Sequence, residues 1–274
     1  MTISTATGLD LVALKSVQHQ TWSSGNYGRI AWLTVPLADT LIAAVDLVPG
    51  RTVLDVATGT GHVAIAAARG FCPATGVDYV AGLVDTAARR AADEGLEITF
   101  EVGDAEALPY AADRFDYVLS AIGSMFTANH QQTADEMVRV CRPGGRIGMA
   151  NWTPSGFVGR MLQTVGRHVP PPAGALPPTR WGDPMVVNEL FAGQVDDLRT
   201  WTTAVRQRFL GAEHFADFFL ANYGPTLKAA GKLDDTDRAA FRADLVALAE
   251  EFNLAADGTF VSEWEYLLVS ARKR

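Results

Sequence analysis

Asp55, Asp78 and Asp104 stand at or just after the ends of successive apolar runs, and the first is followed by the glycine turn Gly59-Thr60-Gly61. Glycines here let the backbone turn sharply and lie close to a ligand, because no Cβ holds the ligand away. A carboxylate ending a second strand accepts both hydroxyls of a ribose, so Asp78, in Gly76-Val77-Asp78, points most directly to a nucleotide. Asp55 lies inside the strand that feeds the turn, which suits orienting the turn or a ligand ammonium better than removing a proton. Two readings share these residues. Gly59-x-Gly61-x-x-Ala64 with Asp78 also satisfies the dinucleotide fingerprint of an NAD-linked oxidoreductase. That reading leaves Asp104-Ala105 and the later Pro143-Gly144-Gly145 turn without a role, and no Ser/Tyr/Lys or Cys/His hydride-transfer set follows.

Candidate proton acceptors are few. His130 follows an apolar strand in Ser124-Met125-Phe126-Thr127-Ala128-Asn129-His130 and is the candidate catalytic base, with the start of a surface helix as its other reading. His62, just after the glycine turn, suits packing at a helix start. His19 and Tyr27 belong to an aromatic, turn-rich stretch at residues 20–29 that reads equally as a lid over the site or as packing. His168 and His214 read as structural or exposed. Met125, Phe126, Trp152 and Trp181, with the proline-rich stretch at 170–178, are candidates for an apolar wall. Cys72 and Cys141 are far apart and lack ligand spacing, so they read as buried reduced thiols and no metal site is signalled.

The elements that must position these residues follow from periodicity. After helices at 9–20 and 34–46, strand and helix patterns alternate: strand 52–57, helix 61–69, strand 74–78, helix 80–93, strand 97–102, strand 115–121, helix 131–141, strand 145–151. Such alternation specifies a doubly wound α/β fold whose ligands sit beyond the carboxyl ends of the parallel strands. Beyond residue 152 come a helix at 155–168, a helix from 183 to about 192, and a strand at 197–209. Helices at 211–222, 225–231 and 235–252 precede a last strand at 258–272 that has no crossover helix and is therefore antiparallel. Phe215, Phe218, Phe219 and Tyr223 recur at helical spacing, so one face of that insertion must cover the pocket or a neighbouring subunit. The expectation is one domain over 1–274. It comprises N-terminal helices and lid (1–50), a cofactor-binding core (51–152) and a substrate-side half (153–274) with a helical cap at 211–252.

A chain of 274 residues, 48% hydrophobic, can bury a full core. Its net charge of −8 argues against a grip on nucleic-acid backbones, which needs clustered Lys and Arg. Apolar runs stop short of the roughly 18 residues of a membrane span, and no signal pattern opens the chain, so a cytoplasmic protein is expected. A homodimer is left open.

Five segments, in order, resemble the motifs of the class I S-adenosylmethionine-dependent methyltransferases: residues 53–61, Gly76-Val77-Asp78, residues 103–109, Phe115-Asp116-Tyr117-Val118-Leu119-Ser120 and Arg142-Pro143-Gly144-Gly145-Arg146. The Ala-Glu-Ala-Leu-Pro run and the Pro-Gly-Gly turn are most similar to the branch with the quinone-biosynthesis and small-molecule enzymes. The resemblance implies a Rossmann-like seven-stranded, mainly parallel sheet and S-adenosyl-L-methionine as cofactor. Gly59, Thr60 and Gly61 would then border the methionine moiety, Asp78 the ribose, and Asp104 and Ala105 the adenine, with Ser120 and Ala121 beside the cofactor and Asp55 and Tyr27 completing its site. The reaction implied is methyl transfer to a small-molecule acceptor by in-line displacement. A non-catalytic protein that binds S-adenosylmethionine or S-adenosylhomocysteine is a further alternative.

Overall fold

The computed structural model describes residues 10–274; Leu9, counted above as a member of the first helix, lies outside them. Seven strands form one sheet: β1 (Val53–Val56), β2 (Ala74–Asp78), β3 (Thr99–Val102), β4 (Phe115–Ala121), β5 (Cys141–Trp152), β6 (Val195–Phe209) and β7 (Phe260–Lys273), in the order β3-β2-β1-β4-β5-β7-β6. Strands β1 to β5 pair in parallel, whereas β7 lies antiparallel between β5 and β6. The chain reverses direction across the sheet between β1 and β4, and the topological switch point lies there. Val53, Leu54, Val118, Leu119, Ile147 and Met149 are all buried, as central parallel strands covered on both faces require.

The covering helices are α3 (Val35–Ala44), α4 (His62–Arg69), α5 (Ala81–Asp93) and α6 (His130–Val140) on the parallel half, and α7 (Phe157–His168) and α8 (Pro184–Leu190) beyond it. Helix α6 starts where its cap dictates: the Asn129 side chain accepts the N–H of Gln132, which brings His130 into the first turn. Strand β5 begins earlier than the sequence pattern indicates. Cys141 pairs with Phe115 and the Pro143-Gly144-Gly145 turn forms an irregularity inside the strand rather than a lead into it.

The turn-rich stretch after α1 (Leu11–Trp22) is shorter than its composition suggests, because a second helix, α2 (Tyr27–Ala31), opens inside it. Between β6 and β7 stand α9 (Ala212–Asn222), α10 (Gly224–Ala230) and α11 (Asp235–Glu251). They pack on one another, on α7 and, through α10, on α1. The aromatic face of α9 is satisfied inside the chain: Phe215, Phe218, Phe219 and Tyr223 are buried, with Phe209, Phe260 and Trp264 against them. Both cysteines are free and buried. Among the described residues no helix is long and apolar enough to cross a membrane.

Candidate active site

A cavity runs along the carboxyl ends of the parallel strands, from β2 and the loop after β3 on one side to β5, β7, α7 and α9 on the other. Asp78, the last residue of β2, holds the glycine turn in place. Its Oδ2 accepts the N–H of Gly59 at 2.9 Å and its Oδ1 accepts that of Val80 at 2.9 Å. Burial pushes its carboxyl above the usual range. Asp55 works one layer deeper: Oδ2 accepts from the Thr58 hydroxyl at 2.5 Å and from the Ala64 N–H at 3.0 Å. Burial pushes it up to about 7 against those hydrogen bonds, and the neighbouring charge of Asp78 adds to the rise. Two carboxylates thus set the turn from below and from the side, and both line the cavity.

Gly59 has φ +54° and a Cβ added there would meet nothing within 4 Å, so open cavity lies in front of it. Gly61 serves a different purpose. Its φ is +87° as the N-cap of α4, and a Cβ would meet Ala87 and Phe100 at 3.0 and 3.1 Å, so it allows close helix packing and lies outside the lining. The cavity floor is strained: Ala57 and Ile122, at the ends of β1 and β4, have φ of 53° and 67°, and a β-branched residue in that region is a genuine outlier.

Asp104 and Ala105 line the cavity beyond β3. Asp104 accepts the Glu106 N–H at 2.9 Å and pairs with Lys15 of α1 at 2.6 Å. Glu106, itself buried, meets the same Lys15 at 2.8 Å and accepts the N–H groups of Ala128 and Asn129 at 2.8 and 2.9 Å. One carboxylate therefore ties α1, the loop after β3 and the loop after β4 together. Sequence reasoning gave no role to Lys15 or to Glu106, although Glu106 lies in the 103–109 motif, because their pairing spans about 90 residues. The only local hint was that Lys15 is a cation on an otherwise uncharged helix face.

His62 closes the same side. Its Nε2–H donates to the Ala31 carbonyl at 2.7 Å, which leaves Nδ1 to accept from Arg90 Nη1 at 3.0 Å. Burial and then the Arg90 charge push its pKa down to about 4, so the ring is neutral and links α2 to the glycine turn. Arg90 also donates to the Thr60 carbonyl and, at 3.1 Å, to its hydroxyl.

At the other end the lining is aromatic. Trp22 packs on Phe126 and on Tyr223 with ring centroids 4.6 and 6.2 Å apart, and the Tyr27 hydroxyl accepts the Gly224 N–H at 3.2 Å. Trp22 and Tyr27 thus line the cavity and pack against the insertion, the packing reading of the aromatic stretch. Phe126 and Trp152 line the cavity as expected; Met125, Trp181 and the stretch at 170–178 do not. Trp181 is wholly buried against His130 and Phe191 instead.

Of the expected site residues the cavity brings together Tyr27, Asp55, Gly59, Thr60, Asp78, Asp104, Ala105 and Ala121. Ser120 and His130 stand behind its wall. The Ser120 hydroxyl donates to the Val56 carbonyl at 2.8 Å and accepts the Ser124 N–H at 3.0 Å, joining β1 to the turn after β4. His130 is buried against the Trp181 ring, 5.8 Å between centroids, and burial, with Arg180 nearby, lowers its pKa to about 4. Its ring does not reach the cavity surface, which removes the contact a base requires in this conformation. Phe219 and Tyr223 line the cavity, one of the two places expected for their helix face, and Trp264 lines it as well, a residue that the sequence showed only as an aromatic position on a strand.

These residues fit S-adenosylmethionine. Asp78 spends one lone pair of each oxygen on the backbone and keeps acceptor capacity for a ribose, Gly59 leaves space beside it, and the acidic end suits a ligand carrying an ammonium and a sulfonium. The dinucleotide fingerprint, by contrast, leaves the Asp104-Ala105 wall unexplained. Residues 53–145 match the family described as "Methyltransferase domain". The uncharacterized protein Rv1405c of Mycobacterium tuberculosis is 40% identical over 279 residues, covering 100% of both chains. Demethylmenaquinone methyltransferase of Deinococcus radiodurans is 41% identical over 130 residues, 46% of this chain and 54% of that one. Among solved structures, the YcgJ protein from Bacillus subtilis superposes with a TM-score of 0.61 at 18% identity, over 86% of this chain and 97% of that one, a likeness of fold. With the motif residues gathered around one cleft, residues 53–145 matching the methyltransferase domain and the fold alike, the chain belongs to the class I S-adenosylmethionine-dependent methyltransferases, and S-adenosylmethionine is its cofactor.

Proposed function

We propose that the chain methylates a small-molecule acceptor, held at the aromatic end of the cavity while the cofactor lies at the acidic end. The observation that carries this reading is the continuity of the cavity from Asp78 and Asp104 to Trp152 and Phe219. Asp78 accepts the ribose hydroxyls; Gly59 and Thr60, with Gly61 shaping the turn, border the methionine part; Asp104 and Ala105 flank the adenine. Asp55 sets the turn, Ala121 and Tyr27 complete the wall, and Ser120 holds β1 against the turn after β4.

Held by Asp78, Gly59 and Thr60, S-adenosylmethionine would supply an electrophilic methyl group with a neutral thioether as its leaving group. The chain's part is positioning, which can supply ~7–11 kcal/mol of a bimolecular barrier. Water is excluded by α1 and by the α9–α10 insertion. His130, behind the wall, supports Trp181 and the loop that carries Ala128 rather than meeting the acceptor. The similarity to demethylmenaquinone methyltransferase, over half that protein, and the acidic chain support a small molecule over a polynucleotide.

Calorimetry with S-adenosylhomocysteine and with NAD tests the cofactor half: the first binds and the second does not, and binding of NAD alone sinks the assignment. Incubation with methyl-labelled cofactor and fractionated cell extract tests the acceptor half. Label is expected in a low-molecular-weight fraction, and label only in nucleic acid or protein overturns it.

A further inference from the structure

Six rings line the acceptor end in an unbroken arc: Phe126 to Trp22 at 4.6 Å between centroids, Trp22 to Tyr223 at 6.2 Å, Tyr223 to Phe219 at 5.6 Å, Phe219 to Trp264 at 5.8 Å and Trp264 to Trp152 at 6.1 Å. Val158 and Met161 of α7 and Leu33 fill the remaining wall. The charged residues that line the cavity are Lys15, Asp55, Asp78, Asp104 and Glu106. All belong to α1, to β1 and β2, or to the loop after β3. Strand β7, which carries Trp264, is three strands from β1 and four from β2 in the sheet order, so Trp264, at the far side of the arc, lies ~14–19 Å across the sheet from those two strands at ~4.8 Å per strand.

The charges on the elements around the arc are turned away from it and engaged elsewhere. Arg160 of α7 pairs with Glu251, and Arg242 with Asp217 of α9. On β7, Glu263 pairs with Arg206 and Glu265 accepts the Thr153 hydroxyl. Arg29 of α2 lies over the Phe218 ring. A charged acceptor entering the arc would therefore lose its hydration without gaining an opposite charge. The hydroxyls on the rings there are phenols, Tyr27, whose oxygen accepts the Gly224 N–H, and Tyr223; the indole N–H groups of Trp22 and Trp152 are further donors, and that of Trp264 is given to Ser262.

Resting on the methyltransferase reading, we infer that the acceptor is an uncharged, flat, conjugated ring compound, and that Tyr223 selects it by hydrogen bonding an oxygen on that ring. Flat rings meet the edges and faces of the arc over a large contact area, and the Tyr223 hydroxyl, donor and acceptor at once, takes a hydroxyl or a carbonyl equally well.

The test titrates protein saturated with S-adenosylhomocysteine with two probes of one ring system, 2-naphthol, uncharged at pH 7, and 2-naphthoate, an anion, following tryptophan fluorescence. We expect 2-naphthol to bind at least 30-fold more tightly. Tyr223→Phe should weaken 2-naphthol about 5- to 10-fold and leave S-adenosylhomocysteine binding and thermal midpoint unchanged. Equal or tighter binding of 2-naphthoate overturns the inference, as does saturation with S-adenosylhomocysteine without any binding of 2-naphthol. Failure of S-adenosylhomocysteine to bind overturns the methyltransferase reading itself, a separate outcome seen before either probe is added.

Discussion

Asp78→Ala should separate the two duties of one carboxylate. In the free protein its oxygens accept the N–H groups of Gly59 and Val80, each at 2.9 Å. Alanine leaves both donors without a side-chain acceptor in a site that is nearly closed to water, at about 1–3 kcal/mol each. Part of that cost is offset, because burial already disfavours the Asp78 charge and raises its pKa. A net loss of about 1–3 kcal/mol corresponds to a fall in Tm of roughly 2–5 °C for a chain of this size. Cofactor binding should suffer more. Two ribose hydroxyls donating to a charged acceptor contribute about 1.5–3 kcal/mol each, so their loss weakens binding by about 10²–10⁴. Calorimetry with S-adenosylhomocysteine measures the second effect and differential scanning calorimetry the first. Affinity within threefold of wild type in a folded variant would refute the placement of the ribose at Asp78.

Lys15→Met removes the cation shared by Asp104 and Glu106 at 2.6 and 2.8 Å; with the Glu106 carboxylate buried and Lys15 part-exposed, global stability should fall by about 1–3 kcal/mol, between an exposed and a fully buried pair. Limited proteolysis within α1 and release of S-adenosylhomocysteine should each become several-fold faster, and unaltered rates would show that α1 is held by its apolar contacts alone. Gly123→Ala drives a Cβ to 2.3 Å from the Ala57 carbonyl oxygen, a backbone clash that should cost about 1–3 kcal/mol in urea denaturation and displace the cavity floor; wild-type stability would contradict the packing described. His62 and His130 are both held down to about 4, so the unfolded chain takes up protons first and their contribution is complete above pH 6.5 and lost as pH falls from 6.5 through 4. A full shift contributes about 3 kcal/mol per ring, whereas Asp55, raised to about 7, acts oppositely, stabilising below its ordinary 3.8 and ceasing to do so as pH rises through 7. The double variant His62→Gln/His130→Gln should therefore show a flatter loss of stability between pH 6.5 and 4, and an unchanged slope would place the pH dependence elsewhere.

How much was legible in advance depended on range. Gly59, Asp78 and Asp104 announced themselves because each answers a local demand: a backbone that must approach a ligand, or a carboxylate at a strand end. The antiparallel β7 followed from the lack of a crossover helix before it. Boundaries shifted where a single cap or turn decides them, as at Asn129 ahead of α6 and within the Pro143-Gly144-Gly145 irregularity of β5. His130 was misplaced for a related reason. Its sequence position after β4 is close to the cavity, but the packing of the segment Pro178–Gly182 puts Trp181 on its ring and leaves it behind the wall.

Strand and helix periodicity, glycine turns and strand-end acids belong to stretches of a few residues, so the sequence by itself determined the doubly wound core, its order of elements and the nucleotide-facing end of the cavity. At the aromatic end the sequence named candidates, Phe126 and Trp152 for a wall and the Phe219–Tyr223 face for a cover, but which of them meet was decided by tertiary structure. Trp22, Phe126, Trp152 and Trp264 come from separate parts of the chain, and only Phe219 and Tyr223, one turn apart at the end of α9, are neighbours by helical spacing. The physical reason is that side-chain packing has no sequence period once partners lie far apart in the chain. The Lys15–Glu106 tie and the Tyr27–Gly224 hydrogen bond are likewise set by the fold, which places residues about 90 and 197 positions apart at one edge of the sheet.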